Sequence, residues 1–389
     1  MPLLLCQKDS YAQTVVTAVR SCTPGPDGYA VALEDTVLYP EGGGQPADAG
    51  TVAGFPVKAI VKRPDGEVVH LLDQAVVGRV EVAVDWARRY DHMQQHTAQH
   101  VLSAIGEDRY NLNTTAFHLG ADRSDVDLDA ADIDPGTLKK IEDEVNTVIR
   151  ADLPVTVSEV DPAELGRLGV RTRGLPEGCT GAVRVVEIVG VDRNNCGGTH
   201  VRRTAEIQVF KITQTEPMRG GTRVHFLAGA RAVRAFDELV LRERALTAAL
   251  SCGPAGHEAA AKRLLDDSKA AAKTVRALRV ELAGHLGAAL ASGKNGAALH
   301  RPDADLEFVR AIASAAAASR PGVVFLVTGG ADSGEGVFAL AGPEAMVKDL
   351  GPRVAEALGG RGGGSRGVFQ GKASKIEKRG EAAAFLGTA

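Results

Sequence analysis

Two short motifs constrain what this chain can fold into more than any other feature of the sequence. The first is HTAQH, in which His96 and His100 are four residues apart and His92 precedes them at the same spacing. Residues four apart lie above one another on a helix, so these imidazoles can reach one object. The second is CGGTH, in which Cys196 and His200 are also four residues apart. A fold that uses both motifs for one purpose must bring residues about a hundred positions apart into contact.

The four side chains together are typical of a zinc site. Thiolate and imidazole are preferred zinc ligands, and these residues give a tetrahedral set for one Zn²⁺ per chain. Gly197 and Gly198 let the backbone fold closely around an ion. Each motif alone has a simpler explanation: helical histidines usually bind solvent or a backbone carbonyl, and CGGTH can form a tight turn with a buried cysteine. The spacing is not that of a zinc finger.

Composition limits the class of protein. With 389 residues, 44% of them hydrophobic and 24% charged, the chain is typical of two or three soluble domains. We expect a cytoplasmic protein, because the N-terminal apolar run is short and no stretch reaches the roughly 18 apolar residues of a membrane span. A net charge of −4 means that a nucleic acid must bind a local basic patch. The odd number and irregular spacing of the cysteines favour free thiols or metal ligands over disulfides: Cys6, Cys22, Cys179, Cys196 and Cys252.

The residue pattern predicts an α+β fold. Residues 11–85 alternate β-branched runs with turns, which indicates a small barrel or curled sheet; the runs are QTVVTAVR, YAVALED, TVLYP, FPVKAIVKR, EVVHLL and RVEVAVD. The pattern is helical from Trp86 to Ile105 and again from Pro135 to Arg150. Further strands are expected at PVTVSEV, AVRVVEIVG and AEIQVFKIT.

The rest of the chain is predicted to be helical and then α/β. Residues 230–290 are helix formers interrupted at SCGPAG, which predicts a helical hairpin or a short coiled-coil arm. The runs DLEFVRAIA, GVVFLVTGG, GVFALAGP and EAMVKDLGPRVAEALGG then indicate a small α/β domain. We therefore expect four parts: a barrel-like N-terminal subdomain at 1–90, a zinc-bearing α/β subdomain at 91–229, a helical arm at 230–293 and a C-terminal α/β domain at 294–389.

These motifs, in this order, resemble the editing domain of alanyl-tRNA synthetases, and still more the long form of the free-standing AlaX-type editing proteins. The resemblance rests on DTVLYPEGGGQPADAG, HTAQH and GLPEGCTGAVRVVEIVGVDRNNCGGTH, and it extends from Leu33 to about Ile207. The arm and the glycine-rich C-terminal domain resemble the C-terminal part of the synthetase. Class II aminoacylation motifs are not found, and residues ahead of Leu33 leave no room for that domain. We therefore expect that the chain does not charge tRNA itself.

The resemblance implies a zinc-dependent aminoacyl-tRNA deacylase, which is a carboxylic ester hydrolase. It would act in trans on tRNA specific for alanine that carries serine, with glycine as an alternative amino acid. A separate site of this kind is also needed on chemical grounds. A pocket that accepts alanine cannot strongly reject an analogue with an added hydroxyl, whereas a second site that hydrogen-bonds the hydroxyl can reject alanine by a factor on the order of 10⁴.

The resemblance also implies roles for residues ahead of the zinc motifs. Thr36, in DTVLYP, would contact the serine hydroxyl, and Gln45, at the end of EGGGQ, would line the same pocket. Gly42, Gly43 and Gly44 would permit close backbone approach to the terminal adenosine or the aminoacyl group. Without the resemblance, the two polar residues are a β-strand threonine and a loop glutamine.

The role of the ion stays open at this stage. It could polarise the ester carbonyl, supply a hydroxide or anchor the amino group of the substrate. Four protein ligands fill the coordination shell of zinc, whereas a catalytic zinc needs an open position. Either one of the four ligands is therefore loosely bound, or the ion orders the pocket and water is activated elsewhere. We expect an ion that the substrate can reach. His92, His118 and Thr199 are further candidates for orienting a ligand or transferring a proton, with solvated histidines as the simpler alternative for the first two.

The segment 351–380 near the C-terminus is basic, with seven Lys or Arg residues against two acids. This excess suits phosphate contact, and the resemblance associates the domain with the body of the tRNA; the candidates are Arg361, Arg366, Lys372 and Lys375. A solvated tail is the alternative. GVFQGKA is not a nucleotide-binding P-loop, because three residues rather than four separate its glycines and Ala373 stands where Ser or Thr is needed. Arg361, Phe369 and Lys372 depart from the family's pattern. The arm or this domain could also pair two chains as a homodimer.

Two other classes of protein remain open. A non-catalytic tRNA-binding protein with a structural zinc would carry the same motifs. DHH-type phosphodiesterases contain a related C-terminal domain, and DHM at Asp91–Met93 superficially resembles their motif. Those enzymes need several aspartates to hold two metals, and the sequence shows no such cluster. An assay with serylated tRNA separates all three classes.

Overall fold

The computed structural model describes residues 3–172, 181–293 and 297–387. The chain divides into two compact units, Met1–Arg244 and Ala245–Ala389, and both contain helices and sheets, so the α+β prediction is confirmed. The finer boundaries stay predictions. Cys179 and the GLPEGCT part of its motif lie outside the described residues, as does the predicted boundary at 294. Within the described ranges, no helix is long and apolar enough to cross a membrane.

A seven-stranded antiparallel sheet, a half-barrel, follows the short helix α1 (Leu5–Lys8) in the first unit. Its strands are β1 (Thr14–Gly25), β2 (Gly28–Leu33), β3 (Gly50–Val52), β4 (Phe55–Pro56), β5 (Ala59–Lys62), β6 (Val68–Leu72) and β7 (Arg79–Val84), in the spatial order β4-β3-β7-β1-β2-β6-β5. Side chains alternate between the two faces of a strand, and Val31, Leu72 and Val82 lie fully buried in the core of this sheet. The predicted runs form strands here, with the exception of TVLYP.

The TVLYP run is predicted to be a strand from its composition, but it forms an irregular loop. Asp35 accepts the backbone N–H of Thr36, and Asp48 accepts that of Tyr39. The hydroxyl of Thr36 accepts the N–H of Leu38 at 3.0 Å. Side chains therefore satisfy the backbone donors that a strand would give to a neighbouring strand. The strand prediction for this run is wrong.

Helix α2 (Trp86–Tyr110) carries the HTAQH motif through the core of the first unit. The carboxylate of Asp85 caps its first turn, and Asn111 ends it in the left-handed region with φ 55°. Nearly every side chain in the middle of the helix is buried, and many of these are polar. The amide of Gln95, for example, exchanges two hydrogen bonds with the backbone of Ala228, at 2.8 and 2.9 Å. Such bonds remove most of the cost of burying polar groups, so a polar helix can occupy the core.

Two smaller sheets and a second long helix complete the first unit. The elements are β8 (Thr114–Leu119), β9 (Ser124–Leu128), α3 (Pro135–Arg150), β10 (Val155–Val160), β11 (Val183–Ile188), β12 (Asp192–Asn195), β13 (Phe210–Met218) and β14 (Gly221–Ala228), with the strand orders β13-β14-β9-β8 and β10-β11-β12. The helix predicted from Pro135 to Arg150 is confirmed. Its residues Ile141 and Val145 are fully buried in the same core as Val101 of α2.

The AEIQVFKIT run is only partly a strand. Thr204–Ile207 forms a 3-10 turn, and β13 begins at Phe210. The hydroxyl of Thr204 donates to the carbonyl of Val148 and accepts the N–H of Leu153, at 2.8 Å each, and these bonds fix the turn. The strand prediction is wrong for the first residues of the run, because side-chain bonds to the backbone replace the bonds of a sheet.

Two long helices follow, α4 (Ala230–Leu250) and α5 (His257–Ser292), separated at SCGPAG as predicted. Their packing as a hairpin or coiled coil stays a prediction. The remaining elements are β15 (Ala298–Arg301), α6 (Leu306–Ser319), β16 (Phe325–Gly330), β17 (Gly336–Ala341), α7 (Glu344–Ala357), β18 (Arg361–Ser365), β19 (Val368–Ala373) and α8 (Arg379–Ala384), with the strand order β15-β16-β17-β19-β18. Val327 and Ala339 of this sheet pack against α5 and α6, whereas Leu326 and Phe338 pack against α7 on the other face.

Candidate metal centre

His96, His100, Cys196 and His200 come together in the first unit. Helix α2 supplies the first two, and the loop that follows β12 supplies the others. One ligand atom of each residue lies within 4.8 Å of those of the other three. The sulfur of Cys196 is 3.4 Å from Nε2 of His96 and 3.4 Å from Nε2 of His200. The four side chains could therefore hold one metal ion.

Gln45 orients His96, and Thr199 in turn holds Gln45. Gln45 is fully buried, and its amide oxygen accepts both Nδ1–H of His96 at 2.8 Å and the backbone N–H of Thr199 at 3.0 Å. The amide nitrogen of Gln45 donates to the hydroxyl of Thr199 at 2.9 Å. Because an amide oxygen can only accept, His96 carries its proton on Nδ1 and presents an unprotonated Nε2 to Cys196. Contact of Gln45 with a substrate stays a prediction.

The other two histidines are oriented in the same way. Nδ1 of His200 donates to the hydroxyl of Thr97 at 3.2 Å, and the hydrogen of that hydroxyl goes to a backbone carbonyl. Nδ1 of His100 donates to the carboxylate of Asp192 at 2.8 Å. Metal-binding histidines usually donate their second N–H to such a fixed acceptor. The Nε2 atoms of all three rings therefore remain for the centre of the cluster, where Cys196 lies.

The backbone at Gly198 passes so close to His96 that a side chain does not fit. A Cβ atom at this position would lie 2.2 Å from Cε1 of His96 and 2.8 Å from the amide oxygen of Gln45. Gly198 thus passes close to His96 and Gln45, while the predicted passage of the CGGTH glycines around an ion stays a prediction. The physical reason for the close approach at Gly198 is that the second motif must reach a helix that is already surrounded by other side chains.

The charges around the cluster favour a thiolate. Burial raises the pKa of Cys196, but the imidazoles of His96, His100 and His200 outweigh burial and lower this pKa well below its usual range. Burial lowers the pKa of His100, yet its hydrogen bonds to Asp192 and Cys196 raise it to about 10. Burial, together with His96, lowers the pKa of His200 to about 3. The thiolate is the form that binds metals, and an ion would displace the proton held by His100.

Asp192 lies four residues before Cys196 and is not among the predicted site residues, yet it joins the cluster to a network of charges. Its carboxylate accepts from His100 and also from Nη1 of Arg171, at 2.6 Å. The guanidinium of Arg171 in turn pairs with Asp108. Sequence reasoning missed this residue; the available signal was an acid placed four residues before Cys196 at the end of an apolar run.

A cavity of about 710 Å³ opens beside the cluster. Three of the four cluster residues, His96, His100 and Cys196, form part of its wall, together with the glycine run Gly42–Gly44 and Phe117. Gly44 has a φ of +82°, and a Cβ there would lie 2.7 Å from the carbonyl oxygen of Phe117. Glycine is therefore required at this position. The glycine run and the cluster share one cavity.

A second cavity, of about 510 Å³, adjoins the first. Four residues line both cavities: Gln7, Tyr39, Gly42 and Lys62. Thr36 lines the second cavity, although only 2% of its surface is exposed. The structure thus brings Thr36 to a cavity that shares four wall residues with the cavity beside the cluster.

The other predicted polar candidates lie apart from the cluster. His92 is buried, burial lowers its pKa to about 4, and its Nδ1 has no hydrogen-bond partner among the described residues. His118 is exposed on β8 and pairs with Asp125 at 3.0 Å. Proton transfer by either histidine stays a prediction.

Gln99, which sequence reasoning missed, lines the larger cavity, and its amide oxygen is without a hydrogen-bond partner in the described part of the chain.

The four basic residues predicted to contact tRNA lie in the second unit, on or beside the hairpin of β18 and β19. All four are exposed: Arg361, Arg366, Lys372 and Lys375. Arg361 and Lys372 are direct partners across the two strands. The segment that could have been a solvated tail is therefore a sheet edge that presents like charges next to each other.

A known protein family matches the part of the chain that contains CGGTH. Residues 183–224 match the family model described as the Threonyl and Alanyl tRNA synthetase second additional domain. This range includes CGGTH and the strands on either side of it.

Three relatives show how much of the chain is shared. The alanyl-tRNA editing protein Aarsd1 of Mus musculus is 40% identical over 401 residues, which cover 98% of this chain and 97% of that protein. The alanyl-tRNA editing protein AlaX-L of Pyrococcus horikoshii is 32% identical over 245 residues, 60% of this chain and 59% of that protein. The alanine–tRNA ligase of Halorubrum lacusprofundi is 32% identical over 361 residues, 87% of this chain but 38% of the ligase. The chain is therefore similar to nearly the whole of Aarsd1, but to only 38% of the ligase.

Proposed function

Since this chain belongs to the family of alanyl-tRNA editing proteins, we propose that it hydrolyses, in trans, the ester bond of alanine-specific tRNA that carries serine. The products are free serine and uncharged tRNA. The observation that carries the proposal is the cluster of three histidines and one cysteine in the wall of a cavity that Gly42–Gly44 also line. Glycine is the alternative amino acid, and the assays below include it.

Zinc is the ion of this proposal, with one ion per chain. Three imidazole nitrogens and a thiolate are the donors that zinc prefers, and the acceptors behind each ring hold these donors in place. When bound, zinc supplies Lewis-acid chemistry, since it polarises an ester carbonyl and lowers the pKa of water. The chain's own part is to hold the donors at one wall of the cavity and to bind the ester beside them.

The two adjoining cavities suggest how the substrate is oriented. The ester lies in the larger cavity beside His96 and Cys196, and the amino-acid side chain reaches Thr36 in the smaller one. Gly42–Gly44 leave space for the terminal adenosine because they carry no side chains. A serine hydroxyl at Thr36 gains a hydrogen bond that the methyl group of alanine cannot form. Selectivity for serine follows from that difference.

Replacing Asp192 by alanine should weaken zinc binding by about 10- to 100-fold, because His100 loses the acceptor that orients its ring. The measurement is competition with a chromophoric chelator on the purified apoprotein. Asp108→Ala is the matched control, since Asp108 contacts the same Arg171 but none of the four ligands, and it should keep the wild-type affinity. Equal losses in the two variants would assign the effect to Arg171 and contradict the prediction.

Replacing Thr36 by valine should lower the ratio of serine release to alanine release by about ten- to a hundredfold, because an unpaired hydroxyl costs about 1–3 kcal/mol. Rates are measured with serylated, alanylated and glycylated tRNA at saturating enzyme. Thr17→Val is the matched control, since Thr17 is also buried and its hydroxyl accepts a backbone N–H, that of Asp35, but it does not line the cavity. If both variants reduce the rates of serine, alanine and glycine release equally, Thr36 stabilises the loop and does not contact the serine hydroxyl.

The basic hairpin of the second unit is proposed to bind the body of the tRNA. Like charges directly opposite one another destabilise a sheet. The pairing of Arg361 with Lys372 is therefore best explained by an anionic ligand that binds both side chains. Replacing both by alanine should weaken tRNA binding and reduce its salt dependence, by about one unit of slope for each phosphate that is no longer bound. Deacylation at saturating enzyme should persist. Filter binding at several salt concentrations measures the effect.

The control for the hairpin is a pair of exposed basic residues elsewhere in the second unit, Arg310 on α6 and Lys348 on α7. Alanine at both positions removes the same net charge. If this control weakens binding as much as the hairpin variant, the effect comes from total charge, and the hairpin is not the binding surface.

The two alternative functions predict other outcomes with the same serylated tRNA. A tRNA-binding protein with a structural zinc would bind it and release no serine. A phosphodiesterase would cut phosphodiester bonds, but among the described residues the four-ligand cluster is the one group of three or more such side chains that could hold a metal. The observed donor set therefore favours the deacylase over a two-metal enzyme.

A further inference from the structure

His70 lies against Thr36 and belongs to none of the motifs of the sequence. It is on β6, is fully buried, and its Nε2 is 3.1 Å from the hydroxyl oxygen of Thr36. Its Nδ1 is 3.3 Å from the carbonyl oxygen of Val31 on the neighbouring strand. His70 also lines the smaller cavity, beside Thr36.

These contacts fix where the protons are. A carbonyl oxygen can only accept, so Nδ1 of His70 carries the ring proton and donates it to Val31. Nε2 is then unprotonated and accepts the hydrogen of the Thr36 hydroxyl. Burial lowers the pKa of His70 to about 4, which keeps the ring neutral near pH 7. The tautomer and the direction of the hydroxyl hydrogen are thus determined by the strand next to β6.

The oxygen of Thr36 has little bonding capacity left. Its hydrogen goes to His70, and one lone pair accepts the backbone N–H of Leu38 at 3.0 Å. A hydroxyl oxygen has two lone pairs, so one remains. Towards the cavity, Thr36 can therefore accept one hydrogen bond and cannot donate one.

We propose that His70 is a positioning residue that makes Thr36 an acceptor only, so that the site selects amino acids by a hydrogen-bond donor on their side chain. The inference rests on the proposed function, since it specifies how the same pocket would distinguish serine. A serine hydroxyl donates and is recognised. The fluorine of 3-fluoroalanine has nearly the size of a hydroxyl but cannot donate, so this amino acid should be treated like alanine.

The test combines two variants at His70 with Thr36→Val. His70→Leu removes the acceptor, and the ratio of serine release to alanine release should fall by about three- to tenfold, the net worth of one hydrogen bond. His70→Gln offers an amide oxygen to Thr36 and should restore at least part of the ratio. In a Thr36→Val background, His70→Leu should not lower the ratio further, because the hydroxyl that it orients is already absent.

Two outcomes overturn the inference alone. One is that the wild type releases serine but His70→Leu leaves the ratio of serine release to alanine release unchanged. The same conclusion follows if His70→Leu lowers this ratio equally in the wild-type and Thr36→Val backgrounds. The other is hydrolysis of 3-fluoroalanyl-tRNA by the wild type as fast as that of seryl-tRNA, which needs no variant and stays decisive if His70→Leu fails to fold. If the wild type releases no serine at all, the proposed function is overturned, and this inference falls with it.

Discussion

Replacing both Cys196 and His200 by alanine should leave the purified protein with less than about one tenth of a zinc per chain, because structural zinc sites owe about 10–16 kcal/mol to four ligands and two would be gone. Serine release should slow by at least about 10³-fold, since a bound metal contributes several kcal/mol to such a reaction. Elemental analysis and single-turnover deacylation measure the two effects on the same preparation. Both residues belong to the one cluster proposed to hold the ion, so both effects should appear together.

The control for this variant changes a cysteine and a histidine elsewhere. Cys22 is on β1 and His285 is exposed on α5, and neither belongs to the cluster. Alanine at both positions should leave the zinc content and the rate of serine release unchanged. A metal-free wild type that still releases serine at full rate would remove zinc from the account.

Replacing Arg89 by methionine should lower the free energy of unfolding of the first unit by about 3–5 kcal/mol, because the carboxylate of Asp48 would be buried without its partner. Arg89 is fully buried on α2, and its guanidinium pairs with Asp48 and donates to the carbonyls of Ser10 and Val37. It thus connects the helix of the HTAQH motif to the N-terminal loop at Ser10 and to the loop that carries Thr36. A loss of this size is a large part of the roughly 5–15 kcal/mol that stabilise a typical domain.

Urea unfolding followed by tryptophan fluorescence measures this loss in the first unit, because Trp86, the single tryptophan of the chain, is in α2. Arg88→Met is the matched control: the same substitution one residue earlier, at an exposed side chain, should change stability by no more than about 0.5 kcal/mol. If the two variants unfold at the same urea concentration, the buried ion pair does not hold the loops to the helix.

The cluster of His96, His100, Cys196 and His200 could be predicted from the sequence because its chemistry is local. HTAQH and CGGTH each place two ligands on one face or one turn, and thiolate and imidazole are a distinctive pair of ligand types. The helix at Pro135–Arg150 could be predicted for a similar reason, since its apolar residues repeat at helical spacing. In both cases the signal lies within a few residues of the chain.

The surroundings of the cluster could not be predicted, because they depend on contacts between distant segments. Gln45 reaches His96 from the glycine loop, Asp192 reaches His100 from β12, and His70 reaches Thr36 from another strand. EGGGQ singles out Gln45 as a pocket residue, but its bond to His96 has no local signal, and neither do the contacts that Asp192 and His70 make. The acceptors behind the ligands are defined only once the fold is known.

Composition alone was misleading where side chains replaced the bonds of a sheet. TVLYP has the β-branched and aromatic residues of a strand, but Asp35 and Asp48 accept its backbone donors. The irregular loop that results lets Thr36 line a cavity. The departure from the expected strand therefore occurs at the part of the chain for which the resemblance implies substrate contact.

Single-turnover release of amino acid should be measured with alanine-specific tRNA charged with serine, with alanine or with glycine. The zinc-loaded protein should release serine much faster than alanine, removal of the ion should abolish the difference, and added zinc should restore it. If serylated tRNA decays at the uncatalysed rate in the presence of saturating zinc-loaded protein, the protein is not a deacylase of this substrate.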